Sequence, residues 1–310
     1  MEYHIPALLE ECISGLNIDP AGTYVDVTFG GGGHSRALFD QLTTGKLLVF
    51  DQDADAKANA KPLIEDQRDR SFTFIESNFR YLKKFLKFHR VIKVDGVLAD
   101  LGVSFHQFDE ADRGFSTRFD GALDMRMDQS QSRSAIEVIN ETAEADLIHL
   151  LSAYGEIKNA RTLASRIVQA RTTEKIERTE QLKRVAMEVA PRGKELKYLA
   201  QLYQAIRIEV NDEMGAMKEM LEQATEVLKP GGRLVVISYH SLEDRLVKNF
   251  INAGNFQGKQ EKDFYGNLLR PLDPVNRKPM VPTQEEINEN NRSRSAKLRI
   301  AEKRNGDELL

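Results

Sequence analysis

One cysteine in 310 residues leaves no partner for a disulfide and no cysteine-based zinc site. Cys12 lies in an amphipathic N-terminal segment, where a small core residue is the expected role rather than a reactive thiol. Both observations favour a reducing cytosol. Missing too is any apolar run of about 18 residues, the length a membrane-spanning helix needs. The opening MEYHIPALLEECI carries early acids and lacks the basic-then-apolar layout of a secretory signal. A cytoplasmic protein without a membrane contact is therefore expected. Neither sign of charge dominates: 44 Lys and Arg stand against 48 Asp and Glu, a net −4. The surface as a whole is thus no polyanion grip.

What is present begins with a length sufficient for one large domain or two modest ones, and with 41% hydrophobic and 30% charged residues, a globular balance. Residues 24–34, YVDVTFGGGGH, join a β-branched run to four glycines and a histidine. SRALFDQL follows with helical character, then LLVFDQD reads as a second strand ending in acids. Strand, glycine turn, helix, strand and acid make the nucleotide half of a doubly wound α/β fold. Glycines let backbone approach a ligand, and an acid about 20 residues on accepts ribose hydroxyls. Asp51 and Asp53 both meet that spacing. The competing reading is a glycine turn that only lets a strand pack close to a helix. No Gly-Lys-Ser/Thr follows, which excludes a Walker A loop, and His34 stands where a dinucleotide fingerprint wants room.

YVDVTF, KLLVFD, FTFIES and VDGVLADL alternate with helical segments, implying a parallel sheet covered on both faces. After Leu101 the alternation breaks. GVSFHQFDEADRGFSTRFDGALDMRMDQS has no stable period and reads as a long functional loop. Residues 134–190 and 195–228 read as helices. LKPGGRLVVISYHS then restores the sheet, KPGG as a turn and RLVVIS as the strand, while 253–295 reads as irregular surface chain. A sheet that starts before residue 105 and resumes near 232 carries a helical insertion. The expected domains are 1–105, an inserted helical substrate domain 106–206, and 207–310 with a basic tail. Ligands of open α/β sheets sit at strand carboxyl ends, so the candidate segments are Gly30–His34, Asp51–Asp53, Asp100–Ser104 and Ser238–Ser241. The insertion starts at one of these ends and is expected to overhang the cleft.

Charge is uneven. Residues 158–207 hold twelve Lys/Arg against five Glu, and NRSRSAKLRIAEKR near the C-terminus is also basic. Two readings stand for the middle segment: a surface for a phosphate backbone, or solvated helix faces laced with i,i+4 pairs.

Blocks spread over residues 4–304 carry a specific resemblance. HIPALLEE, DVTFGGGGHSRALF, DGVLADLGVSFHQFDEADRGFS, DGALDMRMD, QAIRIEVNDE, LKPGGRLVVISYHSLEDRLVK and RSRSAKLRIAEK resemble the bacterial 16S ribosomal RNA cytosine-N4 methyltransferases, the family once called MraW. The resemblance implies a Rossmann-like class I methyltransferase sheet with an inserted all-helical domain, and S-adenosylmethionine as methyl donor. It also implies methylation of the exocyclic amine of a cytidine in the decoding region, with 16S rRNA in the small ribosomal subunit as partner. No metal and no obligate protein partner are expected. The family's cofactor positions fall on Gly32, Gly33, His34, Asp53, Phe79, Asp100 and Gln107. Asp53 is favoured for the ribose, with Asp51 as a helix cap or supporting acceptor. Phe79 is placed to pack on adenine or, alternatively, to fill the core. His34 either meets cofactor or only packs the helix start. The sequence departs from the family at Phe105-His106-Gln107, where Ser-Pro-Gln is usual, and at 195–203, which lacks a His-Pro-Ala-Thr-Arg lead.

The N4 of cytosine is a weak nucleophile because its lone pair is delocalised into the ring. Catalysis then rests on orienting the amine and accepting its hydrogen bonds, and the base must leave its stack. Asp100 or a nearby carbonyl is the candidate acceptor, with His240 and Ser241 as candidate base contacts. Which group is catalytic stays open. Two rival functions fit parts of the chain: an NAD-dependent oxidoreductase, from the first hundred residues, and a non-enzymatic ribosome-assembly factor on a dead cofactor fold.

Overall fold

Short β-branched and apolar runs flanked by turn residues become strands buried on both faces, as the LLVF stretch of KLLVFD shows. The computed structural model describes residues 6–66 and 69–305, so His4 and Ile5 of HIPALLEE lie outside the described residues. The chain divides into two units, residues 1–102 with 215–310, and Val103–Met214.

The first unit is built on seven strands among the described residues: β1 (Thr23–Asp26), β2 (Lys46–Asp51), β3 (Ser71–Glu76), β4 (Val94–Asp100), β5 (Leu228–Ser238), β6 (Leu272–Pro274) and β7 (Lys297–Lys303). Their order is β3-β2-β1-β4-β5-β7-β6. The first five are mutually parallel and β7 runs antiparallel to both β5 and β6. This is the Rossmann-like class I methyltransferase sheet that the resemblance implied. The chain leaves β1 toward one edge, returns and continues from β4 toward the other. That reversal creates a crevice outside the carboxyl ends of β1 and β4.

Helices cover both faces. On one, Cys12 and Leu16 of the helix Leu9–Leu16 and Leu38 and Phe39 of Gly33–Phe39 pack with Leu47, Val49, Val235 and Leu298. Cys12 is fully buried there, and burial raises its thiol well above the ordinary cysteine range, so the expected inert core role holds. On the other face Phe50 meets Phe85 edge-on, with ring centroids 6.0 Å apart. Arg70 locks the glycine-turn helix from its C-terminal end, donating to the carbonyls of Phe39 at 2.6 Å and Leu42 at 3.3 Å while its guanidinium lies 4.1 Å over the Phe39 ring.

Three sequence expectations change in this unit. KPGG is taken into β5: Val94 pairs with Leu228 and Gly96 with Arg233, so the extra residues bulge out without ending the strand. The stretch 253–295 is not wholly irregular, because it contributes β6 and the helix Gln284–Glu289. Glu286 of that helix accepts the Leu8 N–H at 2.7 Å, tying the C-terminal region to the N-terminal helix. The basic C-terminal block is no free tail. It supplies β7 between two neighbours, where Arg299 is buried and paired with Asp244 at 2.7 Å.

The second unit is helical. Phe105–Asp109, Ala135–Glu141, Glu144–Ala153, Ala160–Thr173, Thr179–Met187 and Glu195–Asn211 are its α-helices among the described residues. Its core includes Leu147, Leu151, Leu163, Ile167, Leu182, Leu202 and Ile206. The aperiodic DGALDMRMD stretch, expected to be a functional loop, is part of that core: Leu123, Met125 and Met127 are buried. Asn211 holds it in place, accepting the Met127 N–H and donating to the Met125 carbonyl, both at 2.8 Å. Asp124 and Arg126 pair beside it at 2.7 Å. Among the described residues no helix is long and apolar enough to cross a membrane.

Candidate functional site

Polar residues gather where the parallel strands end. Asp26 closes β1 and is almost wholly buried. Its carboxylate accepts from Ser35 Oγ at 2.6 Å and from the Thr28 N–H at 3.0 Å. Burial raises its pKa, and those donors pull it partly back. Thr28 in turn accepts the Asp100 N–H at 2.6 Å, so the ends of β1 and β4 are stitched together.

The glycine turn follows. Gly30 donates to Asp51 Oδ2 at 2.7 Å, which fixes the turn to the end of β2. Gly32 has a φ of 79°, open to a glycine and strained for other residues, and a Cβ there would stand 2.8 Å from the Phe29 ring. Gly33 starts the helix, and a Cβ on it would lie 2.3 Å from Pro6. Gly31 differs: it is exposed, and its Cβ direction meets no atom within 4 Å. Tight packing and left-handed backbone thus account for two of the glycines. The competing close-packing reading of this turn is part of the answer.

His34 is buried in the first turn of the helix Gly33–Phe39. Its Nε2 lies 3.0 Å from the Ala7 carbonyl, an acceptor, so Nε2 carries the proton. Nδ1 then points toward Asp100 Oδ2 at 3.7 Å.

At the end of β2 the two rival acids separate. Asp51 accepts the backbone N–H groups of Gly30 and Asp53, the supporting-acceptor role foreseen for it. The helix cap is Asp53 rather than Asp51. Its side chain accepts the Asp55 N–H at 3.1 Å and opens the short 3-10 helix Ala54–Ala56. The swap has a simple cause: Asp53 sits just before the helix, where an extended φ/ψ points its carboxylate at the next amides. Burial pushes the Asp51 carboxyl up to about 6, with its amide donors opposing. Phe79 follows β3 at the start of another 3-10 helix and is half-buried rather than a core aromatic. Asn78 caps that helix through Arg80 N–H, and Arg80 is anchored on Glu219 at 2.7 Å.

Asp100 closes β4. Burial pushes its carboxyl up to about 6, while His34 and the Tyr239 hydroxyl pull it down and Asp26 and Glu243 push it further up. Tyr239, past the end of β5, donates its hydroxyl to Asp100 Oδ1 at 2.9 Å. Its ring lies beside Gly102. Glu243 fixes this loop by accepting the Tyr239 N–H at 2.8 Å and the His240 N–H at 3.2 Å. Sequence reading did not single out Asp26, Tyr239 or Glu243. The available signals were an acid inside the apolar YVDVTF run and the family block SYHSLED.

His240, a candidate base contact, turns both ring nitrogens to its own helix start. Nδ1 accepts the Glu243 N–H at 3.4 Å, and Nε2 lies 3.1 Å from Glu243 Oε1. It is the N-cap of Ser241–Ala253. Gln107 belongs to the helical unit, where its Oε1 accepts the Ser104 N–H at 3.1 Å and Ser104 Oγ accepts its N–H at 3.3 Å. The Phe105-His106-Gln107 departure is thus accommodated in a capped helical turn.

The first unit therefore brings Gly32, Gly33, His34, Asp53, Phe79 and Asp100 to one end of one sheet. Burial raises the pKa of the three carboxyls there, on Asp26, Asp51 and Asp100, and Asp26 raises that of the other two. Ionised together they repel, so a cation among them is favoured.

Comparison with known proteins follows from this geometry. The model of the MraW methylase family matches residues 1–304. Ribosomal RNA small subunit methyltransferase H of Cytophaga hutchinsonii is 56% identical over 301 residues, covering 97% of this chain and 99% of its own. The protein of the same name from Flavobacterium johnsoniae is 57% identical over 304 residues, 98% of each chain. Among solved structures, an rRNA methylase from Streptococcus thermophilus aligns over 96% of this chain and 94% of its own, with 12% identity and a TM-score of 0.43.

The glycine turn yields a graded prediction. Gly31→Ala should melt within about 0.5 kcal/mol of the parent, as a surface substitution does. Gly32→Ala should cost at least the 1–2 kcal/mol or so of left-handed backbone, and the Phe29 contact adds to it. Thermal unfolding of the two variants checks this ordering, and equal melting points would contradict it.

Proposed function

This chain belongs to the MraW methylase family, and from that membership we propose that it methylates the exocyclic N4 of a cytidine in the decoding region of 16S rRNA, using S-adenosylmethionine. The observation that carries the cofactor part is the set of three carboxylates around a glycine turn, Asp26 buried and Asp51 and Asp100 half-buried. S-adenosylmethionine is a sulfonium with an ammonium group, and it lacks the pyrophosphate that a dinucleotide site must hold. A cluster of carboxylates suits that cation and would repel a pyrophosphate, which disfavours the NAD-dependent reading.

In this reading the backbone of Gly32 and Gly33, folded into a tight turn by their contacts with Phe29 and Pro6, meets the amino-acid end. Asp53 accepts ribose hydroxyls. Phe79, half-buried after β3, packs on adenine, and Asp100 faces the reacting centre. When bound, S-adenosylmethionine supplies an electrophilic methyl. Asp100, held in one rotamer by Tyr239, accepts a hydrogen bond from the N4 amine and keeps its lone pair turned to the methyl. His34 Nδ1 lies 3.7 Å from the other Asp100 oxygen. Gln107 stays a proposed cofactor contact. The partner is small-subunit rRNA, the substrate named for relatives more than half identical, and the cytoplasm is the expected location. The assembly-factor reading is disfavoured by the completeness of the strand-end set.

The direct test is mass spectrometry of small-subunit rRNA from a strain lacking the gene. Loss of one N4-methyl on a decoding-region cytidine, restored by adding the protein with S-adenosylmethionine, is the expected result. A full complement of cytidine methyls would reject the proposal.

A pH dependence follows from Asp51 and Asp100. Their folded pKa values, about 6, lie above the ordinary carboxylate value. Each thus contributes to stability in its protonated form, a contribution present at low pH and lost as pH rises through about 6. A cationic ligand selects the ionised form, so affinity for S-adenosylmethionine should rise over the same window. From pH 5 to 7.5 the gain should be about tenfold for each carboxylate that must ionise. Calorimetry should show proton release near pH 6, and a smaller gain for the demethylated thioether, which has lost the sulfonium charge. Affinity flat between pH 5 and 7.5 would remove these carboxylates from cofactor binding.

His240 is expected to brace the loop. His240→Ala should lose about 1 kcal/mol of stability with the cap, and His240→Asn, another good cap, should recover it. Single-turnover transfer at saturating cofactor should stay near the parental rate in His240→Asn. A stable but hundredfold slower His240→Asn would restore the base-contact role.

A further inference from the structure

Of the twelve cations between 158 and 207, six are engaged within the helical unit. Arg166 faces Glu188, Lys175 Glu177, Arg178 Asp120, Lys183 Glu180 and Arg207 Glu213, while Arg171 donates to the Ile139 carbonyl. The other six, Lys158, Arg161, Arg184, Arg192, Lys194 and Lys197, are all exposed, and their side chains have no acid or hydrogen-bond partner among the described residues. Solvated pairing accounts for half of the segment and leaves this set unexplained.

The unpaired six are not scattered. Asn159 donates to the Val189 carbonyl at 3.0 Å and accepts the Tyr198 hydroxyl at 3.0 Å. One residue thereby joins the start of Ala160–Thr173, the chain leaving Thr179–Met187 and the first turn of Glu195–Asn211. Lys158 and Arg161 flank the first of these, Arg184 and Arg192 the second, Lys194 and Lys197 the third. Between them the loop is closed by Lys194 N–H on the Pro191 carbonyl and by Gly193 N–H on Glu195, at 3.1 and 2.9 Å. Glu195 is spent on that closure and Glu188 on Arg166, so these two acids of the segment are already engaged.

We infer that these six cations form a preorganised docking surface for the phosphate backbone of RNA, centred on Asn159. The inference rests on the rRNA substrate proposed above and gives that substrate a contact surface. Like charges held together by a hydrogen-bonded frame are disfavoured unless a polyanion neutralises them, and neutralisation releases its counterions. Tyr198 lies within residues 195–203, where this chain departs from the family's lead.

The test compares salt dependence of binding to naked 16S rRNA and to intact small subunits. R192Q/K194Q/K197Q should lower the slope of log K against log salt by roughly two, at about 0.7 per lost phosphate contact. Affinity near 0.15 M salt should fall at least about tenfold, with melting temperature and S-adenosylmethionine affinity unchanged. K175Q/R178Q/K183Q removes the same charge from paired positions and should change the slope far less. Equal slopes for both triples would reduce the effect to net charge and overturn the surface. A slope unchanged in the first triple would also overturn it. Weaker binding to subunits with unchanged binding to naked rRNA would point to a ribosomal protein as occupant and reject the RNA assignment. If the parent bound no rRNA at all, the substrate reading itself would fall, a result distinct from these.

Discussion

The sheet end depends on carboxylates withdrawn from water and held there by donors of their own chain. Removing a carboxylate from solvent is costly unless hydrogen bonds replace the lost hydration. Asp26 takes Ser35 and Thr28, Asp51 takes Gly30 and Asp53, and Asp100 takes Tyr239. Each bond also does structural work. The Asp51 bond fixes the glycine turn, the Ser35 bond seats its helix, and the Tyr239 bond joins the loop after β5 to the end of β4. Losing one carboxylate would loosen a turn as well as remove a charge. The site and the carboxyl edge of the sheet are one construction.

Most of this frame was legible in the sequence because the parallel sheet writes itself as short apolar runs, and a glycine turn between strand and helix marks a close backbone approach, to a ligand or to packing. The lost details are those where local chemistry competes with pattern. KPGG carries every mark of a turn, yet pairing of β4 with β5 on both sides holds it as a bulge. The basic C-terminal block looks solvent-facing by composition. Its alternate residues Leu298 and Ile300 bury against the sheet, and Asp244 takes up the charges of Lys297 and Arg299. Asp51 and Asp53 could not be separated by spacing, since two residues in an extended segment share a face. Only the short helix beginning at Ala54 decides which of them caps.

DMRMD shows the opposite case, a motif legible as a family mark and illegible as structure. No period betrays it, because it is neither helix nor strand. Met125 has a φ of 60° and is fully buried, a combination that local propensity disfavours. Asn211, 86 positions away, supplies the donor that the Met125 carbonyl needs. The blocks DGALDMRMD and QAIRIEVNDE meet in the structure, where Asn211 of one satisfies the backbone of the other. Their joint presence reports a folded helical unit before it reports any contact with substrate.

A net charge of −4 conceals a division of labour that the pairing pattern exposes. At the strand ends of the sheet unit negative charge is gathered by the buried Asp26 and the half-buried Asp51 and Asp100, and it suits a small cation. The helical unit holds 16 Lys and Arg against 19 Asp and Glu, so its positive field is local, exposed on six side chains that no acid pairs with among the described residues. The two ligands of the proposed reaction, a sulfonium and a polyanion, therefore meet fields of opposite sign on separate parts of the chain. Burial sharpens the first field, because low dielectric strengthens it and salt screens it little. Exposure leaves the second open to screening, so ionic strength should act on RNA association and leave cofactor binding nearly untouched. Had the carboxylates been placed on the surface and the cations in the core, the chain would have the same composition and neither preference.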